Sequence, residues 1–240
     1  MDVYVCYDAA HVAGLIAGGY FQRPLHEGAD AMSLSTHKTL PGPQHGAILS
    51  WDKYAPQIKK ATFPGVVSNH HLHHVAGFAV ALAEMMAFGR EYVRQVIKNA
   101  KALAQAMSEA GFLVLGERHG FTESHMVLID VVKNGGGYTV EKKLEEINII
   151  VNRNLLPYDI KMGRHFQNPG GIRLGTSEVT RLGMKESEMI EIANFFKRLL
   201  IKGENLETVK NDVLDFRKDF QQVHYCFENA TDAYKYIGIR

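Results

Sequence analysis

Asp8-Ala9-Ala10-His11 and, further on, Ser35-Thr36-His37-Lys38 decide how this chain reads. Each block closes a short apolar run: Val3-Tyr4-Val5-Cys6-Tyr7 leads into the first, Ala31 to Leu34 into the second. Short apolar runs bounded by polar residues read as strands, and the first has the unbroken character of a buried parallel strand. Such a strand has paired neighbours, yet almost nothing precedes it. The expectation is that the preceding part of its fold is missing or supplied by another chain. In open α/β sheets, ligands collect at the carboxyl ends of strands. Both blocks are strand ends, so Asp8 and Lys38 are expected near each other. A carboxylate, an imidazole and an amine at one sheet edge are the groups that pyridoxal phosphate chemistry requires. The amine holds the cofactor, the carboxylate pairs with the protonated pyridine nitrogen, and a third polar group fixes the phenolic oxygen.

Outward from these blocks, Gly14, Gly18 and Gly19 give a loop or short helix after His11. Gly42, Pro43 and Gly46 mark a turn, and Ala47 to Trp51 a strand. From Leu72 to Ala110 the period is helical, with Leu72, Val75, Ala79, Leu82, Ala83 and Met86 on one face, Gly89 as a point of interruption and Gly111 as C-cap. Strands are expected at 112–115, 126–131, 149–151 and 172–174. Gly135-Gly136-Gly137 reads as a flexible loop; it lacks the lysine and the preceding strand of a phosphate loop. Thr139 is expected to cap a helix through about Ile147. Amphipathic helices follow at Met184 to Ile201 and Leu206 to Tyr225. The expected organisation is one domain over 1–90 and a smaller α/β domain over 91–240, joined by a helix around 71–110.

The bulk properties narrow the partners. The chain has 240 residues, 46% hydrophobic, with a formal net charge of +1. That is enough apolar material for a core. No stretch is strongly basic, which argues against nucleic acid. No membrane span is expected, and the opening Met-Asp-Val-Tyr lacks the positive start of a secretory signal. Two distant cysteines, Cys6 and Cys226, make no disulfide framework and fit a reducing cytoplasm.

Several separate blocks, in order, carry a family resemblance. They are Asp8-Ala-Ala-His11-Val-Ala-Gly14-Leu-Ile-Ala-Gly18-Gly19, Thr36-His37-Lys38-Thr39-Leu40-Pro-Gly42-Pro43, Phe63-Pro64-Gly65, Val151-Asn152-Arg153-Asn154 and Gly171-Ile172-Arg173-Leu174-Gly175-Thr176. Over roughly residues 1–200 the chain resembles serine hydroxymethyltransferase. The resemblance implies an α/β, aspartate-aminotransferase-like fold of type I. This chain would be its later part: the end of the mostly parallel large domain plus the small C-terminal domain. The wording Gly42-Pro43-Gln44-His45-Gly46 and Val66-Val67-Ser68-Asn69 is more like the archaeal branch.

By that resemblance Lys38 is the lysine that holds pyridoxal 5'-phosphate covalently. On spacing alone it would read as a surface lysine; Thr36, His37 and Thr39 around it reverse that. Asp8 resembles the partner of the pyridine nitrogen, the plainer reading being a helix-capping aspartate. His11 resembles the partner of the phenolic oxygen. Thr36 and His37 would sit beside the cofactor, and Ser68 or its amide would reach a cofactor phosphate. Arg173 resembles the substrate-carboxylate clamp, since a guanidinium grips a carboxylate with two hydrogen bonds and an arginine within a short apolar strand needs an anion. Asn154 matches a position near the pterin; the plainer reading is a turn asparagine. His70, His71, His73 and His74 raise a metal site, but no carboxylate or cysteine accompanies them, so no metal is expected.

The activity implied is reversible hydroxymethyl transfer between serine and glycine, with a tetrahydropterin (folate or an archaeal analogue) as carrier. The family also draws catalytic groups from its first half. The chain is therefore expected to be inactive alone, to need a polypeptide supplying that half, and to form homo- or hetero-oligomers. Two alternatives stay open: an aldolase or transaldolase acting on β-hydroxy amino acids, and a non-catalytic subunit of a split enzyme.

Overall fold

A computed structural model describes residues 3–236. The chain forms two compact units. The first runs to Arg94 and regains the segment from Tyr225 onward; the second spans Gln95–His224.

The first unit is built on a three-stranded sheet of order β1-β2-β3, with β1 at Cys6–Asp8, β2 at Ala31–His37 and β3 at Pro41–Ser50. β1 pairs parallel to β2, with Asp8 opposite Ser33. The helix α1 (Ala13–Ala17) fills the crossover. β2 and β3 are antiparallel, from Ala31 opposite Ser50 to His37 opposite Pro41. The sheet is thus mixed rather than mostly parallel, because a connection of only Lys38, Thr39 and Leu40 can reverse the chain but cannot cross over.

The expected turn at Gly42–Gly46 is corrected: the turn is Lys38–Leu40, and Gly42, Pro43 and Gly46 lie within β3. β3 is an edge strand, where proline's missing N–H is tolerated. Gly42 serves a close approach in the register shift after Ser35, since a Cβ there would lie 2.7 Å from the Thr36 carbonyl oxygen. β1 is parallel as read, but it is not buried. Cys6 and Asp8 are exposed, and so are Val3 (74%) and Tyr4 (76%) just before the strand. Among the described residues β1 is an edge strand paired only with β2, which leaves its apolar side chains uncovered.

A short helix, α2 (Ala55–Lys60), precedes the long α3 (Leu72–Glu109). α3 runs uninterrupted through Gly89 and ends before Gly111, whose φ of +101° makes it the left-handed residue after the helix. The expected apolar stripe is not the buried one. Of that stripe Leu72, Val75, Leu82 and Met86 are exposed and Ala83 is buried, and the buried face is completed by Ala81, Met85, Tyr92 and Val93. By length and composition α3 also reaches what a membrane crossing needs, because its first half is almost uncharged; this corrects the expectation that no run does. Its C-terminal half nevertheless supplies Ala100, Leu103, Ala104 and Met107 to the core of the second unit. Two ring pairs tie the C-terminal segment to the first unit, Phe88 with Phe227 (centroids 5.2 Å apart) and Tyr92 with Tyr225 (5.5 Å). That segment packs with residues up to Arg94, whereas 91–240 was the expected range of the smaller domain.

The second unit is an antiparallel sheet of order β4-β5-β7-β6 covered by helices. Its strands are β4 (Leu113–Val114), β5 (Met126–Asp130), β6 (Asn152–Asn154) and β7 (Gly171–Gly175). β6 begins after the apolar run 149–151 expected to be a strand, and Ile150 is exposed. The helix α4 (Gly136–Glu146) starts earlier than expected and is capped by Gly135, not Thr139. Gly135 takes φ +103°, and a Cβ on Gly137 would lie 2.4 Å from the Gly171 carbonyl oxygen. The glycines therefore start a helix against β7 instead of forming a loose connection. α5 (Ser177–Arg181), α6 (Glu186–Leu200) and α7 (Leu206–Arg217) follow, and α8 (Ala230–Tyr236) belongs to the first unit. α7 stops short of the expected Tyr225, and the Phe216 and Phe220 rings pack together past its end. Met107, Ile129, Leu144, Ile172, Met189 and Phe196 are almost wholly buried at the centre. Each such side chain contributes about 1.5–3 kcal/mol of apolar burial.

Candidate active site

In the first unit β1 ends at Asp8, opposite Ser33 of its parallel neighbour β2, and β2 runs on to His37. The Ala9 N–H continues the ladder to the Ser33 carbonyl at 2.8 Å. The chain then turns on Asp8, whose Oδ1 accepts from the Ala10 N–H at 2.9 Å. This local bond explains why an aspartate sits at the strand end. The rest of the carboxylate is exposed.

One side chain joins the two sequence blocks. Thr39 is buried, and its hydroxyl donates to the His11 carbonyl (2.9 Å) and accepts from the Gly14 N–H (3.0 Å). The approach is so close that a Cβ on Gly14 would stand 2.1 Å from the Thr39 carbonyl oxygen. Thr36 is buried too, its hydroxyl proton shared between the carbonyls of Pro43 (2.7 Å) and His45 (2.9 Å). Between these two anchored threonines stand His37 and Lys38, both exposed. His37 Nδ1 lies 3.3 Å from the His45 carbonyl oxygen. Among the described residues no carboxylate pairs with the Lys38 amine. The structure thus ties the His11–Gly14 segment to Thr39, the residue after Lys38, and two residues not among the expected site residues, Thr39 and Gly14, make the joint. Their signal was in the motifs themselves, as the hydroxyl after the lysine and the first small residue after His11.

Ser68 is exposed in the stretch before α3, and no hydrogen bond ties it to this group. The histidines behave differently from their spacing. His70 lies outside the ring cluster, and His45 from β3 joins His71, His73 and His74, with the His74 ring 5.2 Å from that of His45 and 4.4 Å from that of His73. His74 Nδ1 is buried without a hydrogen-bond partner. Burial, followed by the neighbouring charges of His73, His45 and His71, pushes its pKa down and favours the neutral ring. Among the described residues no group of three or more potential ligands is arranged around a metal position.

In the second unit Arg173 lies in the middle of β7, between Leu128 of β5 and Asn152 of β6. Ile172 and Leu174 point into the core, so Arg173 occupies the opposite face. Directly paired residues share a face, as do residues two apart. Asn152 and Asn154 therefore share the face of Arg173. Arg173 is half-buried, and among the described residues no carboxylate pairs with it. The Asn154 amide donates to the Leu155 carbonyl at 2.7 Å. Thr176, at the end of the strand, is fully buried and donates to the Val96 carbonyl at 2.9 Å.

An amine, a carboxylate and an imidazole held at one strand edge by a buried hydroxyl fit an aldehyde cofactor with a basic ring nitrogen. A half-buried arginine without a partner in its own unit fits a carboxylate ligand.

Comparison with known proteins agrees. The serine hydroxymethyltransferase family profile matches residues 1–196. Serine hydroxymethyltransferase of Nitrosopumilus maritimus is 56% identical over 239 residues, covering 100% of this chain and 54% of the relative. That of Korarchaeum cryptofilum is 59% identical, covering 96% of this chain and 53% of the relative. The chain thus spans about half the length of the curated relatives it matches. Among solved structures, L-threonine transaldolase from Pseudomonas fluorescens in its internal aldimine state superposes with a TM-score of 0.83 at 32% identity, covering 98% of this chain and 54% of that one. The architecture is that of part of a type I pyridoxal phosphate enzyme. The chain belongs to the serine hydroxymethyltransferase family.

Proposed function

We propose that this chain forms the cofactor-lysine part of an enzyme that transfers a hydroxymethyl group reversibly between serine and glycine, with a tetrahydropterin as carrier. The observation that carries the reading is the Thr39 hydroxyl, which fastens the Asp8–Gly14 segment to the turn bearing Lys38. It supports one site shared by the Asp8 carboxylate and the Lys38 amine, for which no carboxylate partner stands among the described residues.

In this reading Lys38 holds pyridoxal phosphate covalently and Asp8 keeps the cofactor's ring nitrogen charged. His11 faces the phenolic oxygen, with Thr36 and His37 alongside, and Ser68 serves a phosphate. When bound, the cofactor supplies a sink for negative charge at the amino acid's α-carbon. Arg173 would grip the substrate carboxylate with its planar fork. Asn154, on the same face of the sheet, serves the pterin. The work of the chain is orientation and fixed charge.

A second polypeptide segment belongs to the proposal. Val3, Tyr4, Trp51, Phe63, Val66, Leu72 and Met86 are all exposed in the first unit. Exposed apolar side chains in such number fit a surface that a partner covers. They support a partner that supplies the first half of the fold, and activity that depends on it. Cys6 and Cys226 form no disulfide, in keeping with a cytoplasmic enzyme.

A second reading has its own support. The likeness to L-threonine transaldolase favours carbon–carbon bond chemistry on β-hydroxy amino acids without a pterin. The test combines the chain with the first half of a relative and pyridoxal phosphate. Borohydride reduction followed by peptide mapping should leave the pyridoxyl group on Lys38. A label elsewhere, or none, overturns the cofactor assignment and leaves a non-catalytic subunit. Serine cleavage that depends on tetrahydropterin supports the transferase; transfer to an aldehyde without it supports the transaldolase.

A further inference from the structure

The connection from β6 to β7 folds around one carboxylate. Asp159 is 0% exposed. Its Oδ2 accepts from the N–H groups of Leu156 (2.9 Å) and Gly170 (2.7 Å), and its Oδ1 accepts from Arg164 Nη1 at 3.1 Å. Leu156 stands just after β6 and Gly170 just before β7, so both ends of the connection close on the same oxygen, Oδ2. Nothing there has room to shift. A Cβ on Gly170 would lie 2.7 Å from Asp159 Oδ1, and one on Gly171 would lie 2.4 Å from Leu156 Cδ2. The Gly170 carbonyl accepts from Val131 N–H at 2.9 Å, and the Pro169 carbonyl from Gly137 N–H at 2.7 Å. Asn154 stands opposite Gly171, and Arg173 follows two residues along β7.

A buried charge is a poor way to gain stability, because apolar side chains of similar volume often serve as well. What three directed hydrogen bonds supply is a single geometry. We infer that Asp159 is a positioning residue for substrate recognition: it locks the β6–β7 connection so that the Arg173 guanidinium and the Asn154 amide keep one fixed mutual placement. Asp159 touches neither substrate nor cofactor and acts through Arg173. The inference rests on the reading of Arg173 as the carboxylate clamp.

The experiment uses the complete enzyme containing this chain, loaded with pyridoxal phosphate, and compares Asp159→Asn with Arg173→Lys. Arg173→Lys should raise the KM for serine by about tenfold or more, the loss of a bidentate contact. Asp159→Asn should raise it roughly fivefold with kcat changed less than about twofold, the pattern of lost uniform binding. Cofactor absorbance should be unchanged, and hydrogen exchange at the Leu156 and Gly170 amides should quicken. Faster exchange with an unchanged serine KM overturns the positioning role while leaving the Arg173 reading intact. An unchanged KM in Arg173→Lys overturns the clamp itself, and the positioning role with it. If Asp159→Asn does not fold, Arg164→Gln carries the test, because it keeps both backbone bonds. It should raise the KM about twofold with quicker exchange of the same amides, and no change in either overturns the inference.

Discussion

Gly14→Ala probes the joint on which the cofactor assignment stands. The new methyl group would lie 2.1 Å from the Thr39 carbonyl oxygen, 2.3 Å from its carbon and 2.8 Å from the Leu40 nitrogen. All three are backbone atoms, so no side chain can swing aside. Restoring an ordinary contact of 3.4 Å requires the two segments to part by more than 1 Å. That breaks the 3.0 Å bond from the Gly14 N–H to the Thr39 hydroxyl. Overpacking of this kind costs about 1–3 kcal/mol, and the lost hydrogen bond adds about 1 kcal/mol. The first unit should melt roughly 5–15 °C lower. The same displacement draws Asp8 and His11 away from Lys38, and a misplacement near 1 Å can cost about 10²-fold in rate. Thermal melting followed by circular dichroism reads the first effect; cofactor titration and turnover of the complete enzyme read the second. Gly46→Ala is the control, since its Cβ would meet only the Leu34 carbonyl oxygen, at an ordinary 3.6 Å. A Gly14→Ala protein as stable as its parent, with unchanged cofactor affinity, would refute the reasoning.

Two more outcomes follow from the hydrogen bonds. Thr39→Val keeps the shape but removes the hydroxyl that bonds the Gly14 N–H and the His11 carbonyl, at about 1–3 kcal/mol for a buried group left unpaired. Urea unfolding should show the loss, Thr39→Ser should recover most of it, and equal midpoints for the valine and serine variants would count against the clamp. Burial pushes the Asp159 carboxyl up, but the bonds from Leu156, Gly170 and Arg164 outweigh it and hold the pKa below the ordinary value. A depressed folded-state pKa means stability present above the unfolded value of about 3.9 and lost as pH falls through the folded one. Melting temperature should therefore drop as pH is lowered below about 4, and Asp159→Asn should flatten that part of the profile. Parallel profiles for parent and variant would contradict the assignment.

Much of the site could be read without coordinates because its parts are local. Asp8 and Lys38 follow short apolar runs, and strand ends in α/β sheets are where ligands gather. The helix at Leu72 to Glu109 declared itself through its length and its closing glycine. What went astray was whatever depended on a neighbour. Gly42, Pro43 and Gly46 carry turn chemistry, yet they lie in an edge strand, because Thr36 draws the carbonyls of Pro43 and His45 to its hydroxyl. Thr139 has the composition of a cap, but Gly135 takes the position, because Gly137 must pass within contact of Gly171.

The order of residues along the chain was therefore sufficient for the family, since several motif blocks stand in sequence over residues 1–196. Their arrangement in space was not contained in it. The Thr39 hydroxyl reaches back to His11 and Gly14, and the Asp159 carboxylate gathers Leu156, Arg164 and Gly170. Hydrogen bonds of a few ångströms between residues far apart in sequence leave no periodicity to read, and they exist only once the chain has packed.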